Sequence, residues 1–134
     1  MLEIRSQPRY TGHVSHQLAG DAALYKICSQ PSWSQALETG QFPLSRADAR
    51  DGYVHLSAAH QVRGTLERHF AGQPDLLLLV IAPARLPTGA LRWEPAHNGE
   101  LFPHLYAELR AELVLEALAL PLDAEQRHSL PQGF

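Results

Sequence analysis

The chain has 134 residues, of which 45% are hydrophobic and 19% charged, with a net charge of −3 when histidine is neutral. That length suits one domain with its own buried core, and that balance excludes a disordered chain. The small negative charge argues mildly against a dedicated nucleic-acid binder, which usually carries a basic surplus.

Residues 1–20 show no helical or strand period, and Pro8, Gly12 and Gly20 break what Leu2 and Ile4 begin. They are expected to form a loosely attached extension to a core over 21–120. They hold no apolar stretch of the signal-peptide kind. The longest apolar run, Leu76 to Pro83, is too short to cross a bilayer. A cytoplasmic protein without membrane contact is the expectation.

Ala22–Cys28 is a short apolar run bounded by turn residues, which predicts a buried strand. Cys28 is the only cysteine, so no internal disulfide exists, and its apolar setting predicts a core side chain rather than a nucleophile. Ser32-Trp33-Ser34-Gln35 has capping-box spacing, and Gly40 stands at the C′ position. A helix over 32–39 follows, with Trp33, Ala36 and Leu37 inward. Residues 43–52, with Pro43, Asp48, Asp51 and Gly52, predict a loop.

Tyr53–Ser57 alternates as a strand and runs into a helix marked by Ala59, Val62, Leu66 and Phe70. A strand end feeding a helix start presents free backbone N–H groups, a favourable place for an anion. Ser57 has two readings there, as N-cap of that helix or as a ligand contact. Gly64 inside the helix predicts close approach of another element. Leu76–Ala82 is a continuous apolar run of strand length, expected at the centre of a sheet. Leu91–Glu94 is a short strand. Pro103 demotes Leu101–Tyr106 to an edge or a bend. In 107–120 the residue types favour helix, while Leu113, Leu115 and Ala117 fit a period of two.

Eight histidines raise the question of a metal. No HExxH or CxxC pattern is present, and His60 and His69 fall on opposite sides of one helix. Convergence of His55, His97 and His104 is left to the tertiary fold. No GxSxG elbow surrounds Ser57, and no glycine-rich phosphate loop occurs. Glu94 follows Trp93; it is either a carboxylate partly desolvated by the indole, with a raised pKa, or a solvated strand-end group. Phe102-Pro103-His104-Leu105-Tyr106 gathers rings that either stack on a flat ligand or pack in the core.

A set of motifs, each weak alone, occurs in one order along the chain. They are LYKI at 24–27, Trp33 with Ala36 and Gly40, DGYVHLS at 51–57, Gln61-Val62, Thr65, HFAGQ at 69–73, DLLLL at 75–79, LRWEP at 91–95 and LFPHLY at 101–106. Together they resemble the bacterial family catalogued as domain of unknown function 952, over about residues 22–120. Ala107 departs from it, because members usually place Gly after the Tyr, which bears on the turn after Tyr106. The resemblance implies an α+β fold similar to the ADP-ribosylation fold, with two small, mostly antiparallel sheets around a cleft for NAD. It also implies that 107–120 ends in a strand. By strand order it puts Lys26 where the first core strand often carries a His and His55 where the second carries a Tyr, with Glu94 as the acid.

The expectation is therefore a protein that binds NAD or a related nucleotide and, as an enzyme, displaces nicotinamide with ADP-ribose transfer or hydrolysis. Glu94 would stabilise the oxocarbenium-like centre. His55 would bond the ribose or the nicotinamide amide. Tyr25, Trp93 or Tyr106 would stack on a ring, and Ser57 would take a phosphate oxygen. Lys26, Gln61 and His104 complete the expected binding set, and no metal is expected. His55, Ser57 and Glu94 should then surround one cleft. The different-class alternatives are a non-catalytic nucleotide-binding module and a protein-interaction module, whose partner the sequence leaves open.

Overall fold

The structure is a computed structural model that describes residues 22–96 and 98–134. The extension expected over residues 1–20 and the side chain of His97 lie outside the described residues. The order of elements is β1 (Leu24–Ser29), α1 (Gln30–Thr39), α2 (Arg46–Asp51), β2 (Val54–His55), β3 (Ser57–Ala58), α3 (Val62–His69), β4 (Leu76–Ile81), β5 (Leu91–Pro95), β6 (Leu101–Leu105) and β7 (Val114–Leu120). It is an α+β fold with two small antiparallel sheets. One has the order β3-β1-β4-β7 and the other β2-β6-β5.

The six residues of β4 are all buried. The strand lies between β1 and β7 and is covered on both faces, so it has no polar side to show. Leu77, Leu79 and Ile81 enter a core shared with Val54 and Leu105 of the other sheet and with Leu56 between the two sheets. Leu76, Leu78 and Val80 enter a second core with Val62 and Leu66 of α3. The molecule is thus layered as small sheet, large sheet, helix. β1 alternates between the same two cores, Leu24 and Cys28 on one side, Tyr25 and Ile27 on the other. Burial pushes the Cys28 thiol up to about 12, against a smaller pull from Lys26, so it stays a protonated core group.

Several local expectations are corrected. The first helix is capped by Ser29, whose Oγ accepts from the Ser32 amide at 3.2 Å, and Pro31 sits in its first turn. Ser32 is therefore inside the helix. Gly40 does end it, at φ +90°. Residues 46–51 form a helix instead of a loop, with Ser45 as N-cap and Gly52 at φ +83°. Its one buried residue is Asp48, so no apolar period announced it. The strand over 53–57 is two strands, β2 in one sheet and β3 in the other, split at Leu56. A 3-10 turn over Ala59–Gln61 precedes α3, Ala59 is exposed, and the atoms nearest a Cβ on Gly64 belong to Arg68 of the same helix. Residues 107–120 give a 3-10 turn and then β7, so they end in the strand that the family resemblance implies. Pairing with all six residues of β4 outweighs the helical propensity.

Pro103 is the most informative correction, since β6 is the central strand of the small sheet. The Pro103 carbonyl accepts from the Leu56 amide at 3.1 Å. In an antiparallel strand the N and C=O of one residue face the same side. The hydrogen that proline lacks would therefore point at Leu56, where the chain leaves β2 for the other sheet, so the proline forgoes only the last bond of that ladder.

β2 leaves the N–H and C=O of His55 on an open edge, because His55 and His104 form a non-hydrogen-bonded pair between bonded neighbours. Both groups are satisfied by side chains. Asp48 Oδ1 accepts the His55 amide at 3.1 Å, and Lys26 Nζ donates to the His55 carbonyl at 3.2 Å. Lys26 and Asp48 also pair at 3.1 Å, their side chains 12% and 4% exposed. Burial alone would raise the Asp48 pKa. The bond from the His55 ring, the Lys26 charge and the His55 amide outweigh it and hold Asp48 at about 2.

Asp48→Asn is expected to cost about 2–3 kcal/mol, because it leaves a largely buried Lys26 charge without its counter-ion. The pH dependence follows from the sign. A depressed folded pKa adds stability above the unfolded value near 4, and that stability is lost as pH falls toward 2. Urea unfolding at pH 7, 4 and 2.5 should show a shallower acid loss in the variant than in the wild type; equal slopes would contradict the assignment.

Candidate functional site

The outer face of the small sheet carries the polar and aromatic side chains. Period two along each strand explains which ones. Val54 and Leu105 point to the core, so Tyr53 and His55 on one strand, and His104 and Tyr106 on another, point outward. His55 is opposite His104, and His104 is opposite Arg92. Glu94, two residues beyond Arg92, shares the face.

The geometry is tight. Tyr53 stacks on His104 with ring centroids 3.9 Å apart, and lies 4.7 Å from His55 and 5.2 Å from Tyr106. The two imidazoles are 5.6 Å apart, edge to face. Glu94 Oε1 accepts from His104 Nδ1 at 2.8 Å and from the Tyr106 hydroxyl at 2.7 Å. The Arg92 guanidinium lies 4.6 Å over the Tyr106 ring. His104 is covered by these neighbours, while His55, Glu94 and Tyr106 remain about one third exposed at 36%, 33% and 37%.

Each histidine is tied to carboxylate. His55 Nδ1 lies 2.7 Å from Asp48 Oδ1 and Nε2 lies 3.0 Å from Asp51 Oδ2. Ionised carboxylates only accept, so both bonds form together only in the imidazolium. Asp51 is held at about 2, first by its bond from Arg50, with the His55 bond adding to it. The Glu94 carboxyl lies below its ordinary range because His104, then Tyr106, donate to it. The Tyr106 hydroxyl is raised, chiefly by that same bond. Tyr53 is raised by burial, then by Asp51 and Glu94. The face thus holds an ionised, anchored carboxylate, an exposed guanidinium, two phenols and two imidazoles.

The expected site residues divide. His55, His104, Glu94 and Tyr106 share this face, and Lys26 reaches it from the large sheet through Asp48 and the His55 carbonyl. Tyr25 does not. It is 1% exposed, in the core under α3 against Phe134, with its hydroxyl raised to about 12 by burial and then Glu116. Ser57 is not the N-cap, which is Ala58 for the 3-10 turn and Gln61 for α3, and it lies apart from this face. It pairs in β3 of the other sheet, is buried, and places its Oγ 3.3 Å from Thr65 Oγ1. Gln61 is spent on structure, accepting the Ala58 amide at 2.9 Å and donating to the Leu101 carbonyl at 2.8 Å and to Glu100 at 3.0 Å. Trp93 points to the opposite side of its strand from Glu94, so the indole does not desolvate that carboxylate, and the shift is downward rather than up.

Four participants escaped the sequence reading: Asp48, Asp51, Tyr53 and Arg92. Ser45 three residues before Asp48 and Gly52 after Asp51 mark the short helix that carries both acids. Tyr53 and Arg92 stand two residues from His55 and Glu94, the spacing that puts them on one face. The two described cavities lie elsewhere, about 100 Å³ beside Arg63 and Arg127, and about 250 Å³ bounded by Leu24, Ala58, Pro83, Leu91 and Trp93. Among the described residues no three His, Cys, Asp or Glu side chains are grouped to hold a metal ion, and no helix is long and apolar enough to cross a membrane.

Tyr106→Phe removes one of the two bonds to Glu94 Oε1. The Glu94 carboxyl should then titrate at higher pH than in the wild type, measured by the pH dependence of its 13C carboxyl shift. An unchanged midpoint would show that the bond does not tune the carboxylate.

The fold has close relatives among solved structures. A crystal structure of protein CC0527 from Caulobacter crescentus is 38% identical and superposes with a TM-score of 0.76, over 81% of this chain and 95% of that one. A solution NMR structure of the same protein is 39% identical with a TM-score of 0.70, over 78% and 90%. No curated protein matches the chain. The model of one family, "Protein of unknown function (DUF952)", matches residues 27–117, a span that includes β2, β5 and β6 and so nearly all of the face just described. The chain belongs to that family.

Proposed function

We propose that the outer face of the small sheet binds NAD or a related nucleotide, and that the reaction is displacement of nicotinamide with transfer or hydrolysis of ADP-ribose. The observation that carries this is Glu94, an ionised carboxylate anchored through Oε1 by His104 and Tyr106 among three rings. Such a group gains most when positive charge develops beside it, as in the oxocarbenium-like transition state of glycosidic cleavage. The resemblance to the ADP-ribosylation fold supports the same reading.

The roles differ from those expected. Both His55 nitrogens face carboxylates, so His55 orients the face rather than bonding the ribose. The Tyr53 and Tyr106 rings take the flat base, and Arg92 takes the phosphate oxygen assigned earlier to Ser57.

The test joins a melt to a turnover assay. NAD or ADP-ribose at a hundred times its dissociation constant should stabilise the wild type by about 2.7 kcal/mol, a shift of several degrees. Glu94→Gln should keep most of that shift and lose roughly a hundredfold or more in nicotinamide release. Arg92→Ala should lose the shift. A melt unmoved by either ligand refutes nucleotide binding. A shift without wild-type turnover refutes the enzyme and leaves a binding module.

A further inference from the structure

We infer that the outer edge of β5 is an interface between two copies of this chain, paired antiparallel about a two-fold axis through Trp93. It draws on Arg92 and Glu94, which the nucleotide reading also uses, but its test reads association alone and not ligand binding. β5 ends the order β2-β6-β5, and among the described residues nothing pairs with its outer side. The N–H and C=O groups of Arg92 and Glu94 face β6, as the bonded Ala90–Tyr106 pair two residues earlier requires. Those of Leu91 and Trp93, and the carbonyl of Pro95, face outward. Trp93 is 47% exposed there and Leu101 on the neighbouring strand 52%. An unpaired edge with apolar side chains is a template for another strand.

The sequence LRWEP specifies the second strand as its own copy. With Trp93 opposite Trp93, Arg92 of each copy faces Glu94 of the other, on the polar side of the sheet. Leu91 then faces Pro95 on the apolar side. Direct cross-strand neighbours of opposite charge favour pairing, and like charges oppose it. The neighbouring registers fail on this ground, since one puts Arg92 against Arg92 and the other Glu94 against Glu94. The Trp93-centred register also suits the proline. The Trp93 pair exchanges two bonds, each Leu91 N–H donates to a Pro95 carbonyl, and the missing proline donors fall only at the ends.

Side-chain chemistry agrees on both faces. Glu94 spends Oε1 on His104 and Tyr106, and its Oε2 has no partner among the described residues, so the second copy's Arg92 meets a free acceptor. On the other side the second Trp93 lies over the cavity of about 250 Å³ bounded by Leu91, Trp93 and Pro83. Each copy thereby adds a guanidinium beside the other's Glu94. Joining the two small sheets makes one continuous sheet of six strands.

The test is a charge swap read by sedimentation equilibrium. The wild type should be a dimer at micromolar concentration. Arg92→Glu and Glu94→Arg should each weaken the dimer by roughly tenfold or more. Because Glu94→Arg also loses its bonds to His104 and Tyr106, the deciding sample is an equimolar mixture of the two variants. In a mixed pair every position 92 faces an opposite charge at 94, so the mixture should form heterodimers while each variant alone is monomeric. A wild type that stays monomeric at 100 times that concentration, or a mixture no more associated than its components, would overturn the inference.

Discussion

The small sheet depends on one buried carboxylate. Asp48 Oδ1 accepts from the His55 amide and the His55 ring, and Oδ2 accepts from Lys26, which also donates to the His55 carbonyl. Three elements meet there: β1 of the large sheet, the short helix α2, and β2 of the small sheet. An unpaired carboxylate at that depth would be strongly disfavoured, and an unpaired Lys26 equally so. Satisfied together, they close an edge that would otherwise show a bare donor and acceptor. They also set the angle of the His55 ring, which packs on Tyr53 and so positions the whole face.

Much of the architecture was legible because hydrophobic pattern dominates where burial is complete. β4 was visible as a strand buried on both faces. β1 and β5 were visible from their length and their boundaries. The failures share a cause: a tertiary partner overrode a local signal. Pro103 occupies a central strand because the chain leaves β2 just where its missing hydrogen would point. The Ala-, Glu- and Leu-rich tail becomes β7 because β4 offers six partners, with one shift of register between Val80 and Ile81, and here the family resemblance gave the strand that propensity did not. Helix α2 was hidden because its only inward residue is a charged one.

The site was partly legible. His55, His104, Glu94 and Tyr106 were named through the family resemblance, and the alternation of their strands with core residues such as Val54 and Leu105 explains why they share one face. Asp48 and Asp51 looked like loop solvation. Ser57 looked like a cap, but the crossing from one sheet to the other at Leu56 carries it away from His55. Tyr25 and Trp93 show the limit of residue type as a guide. One is core and the other lies on the far side of its strand, and only the direction of each side chain separates them from Tyr53 and Tyr106.

The same face and its edge connect chemistry to assembly, because Arg92 and Glu94 take part in both. All of it rests on β2 being held in place by Asp48 and Lys26. Hydrogen exchange at the His55 amide measures that directly. This N–H is on a sheet edge with no strand beside it among the described residues, so without a side-chain acceptor it would exchange at nearly the rate of an unfolded chain. The account predicts strong protection of the His55 amide in the wild type, lost in Asp48→Ala while the Leu66 and Leu79 amides stay protected. A His55 amide that exchanges freely in the wild type would contradict it.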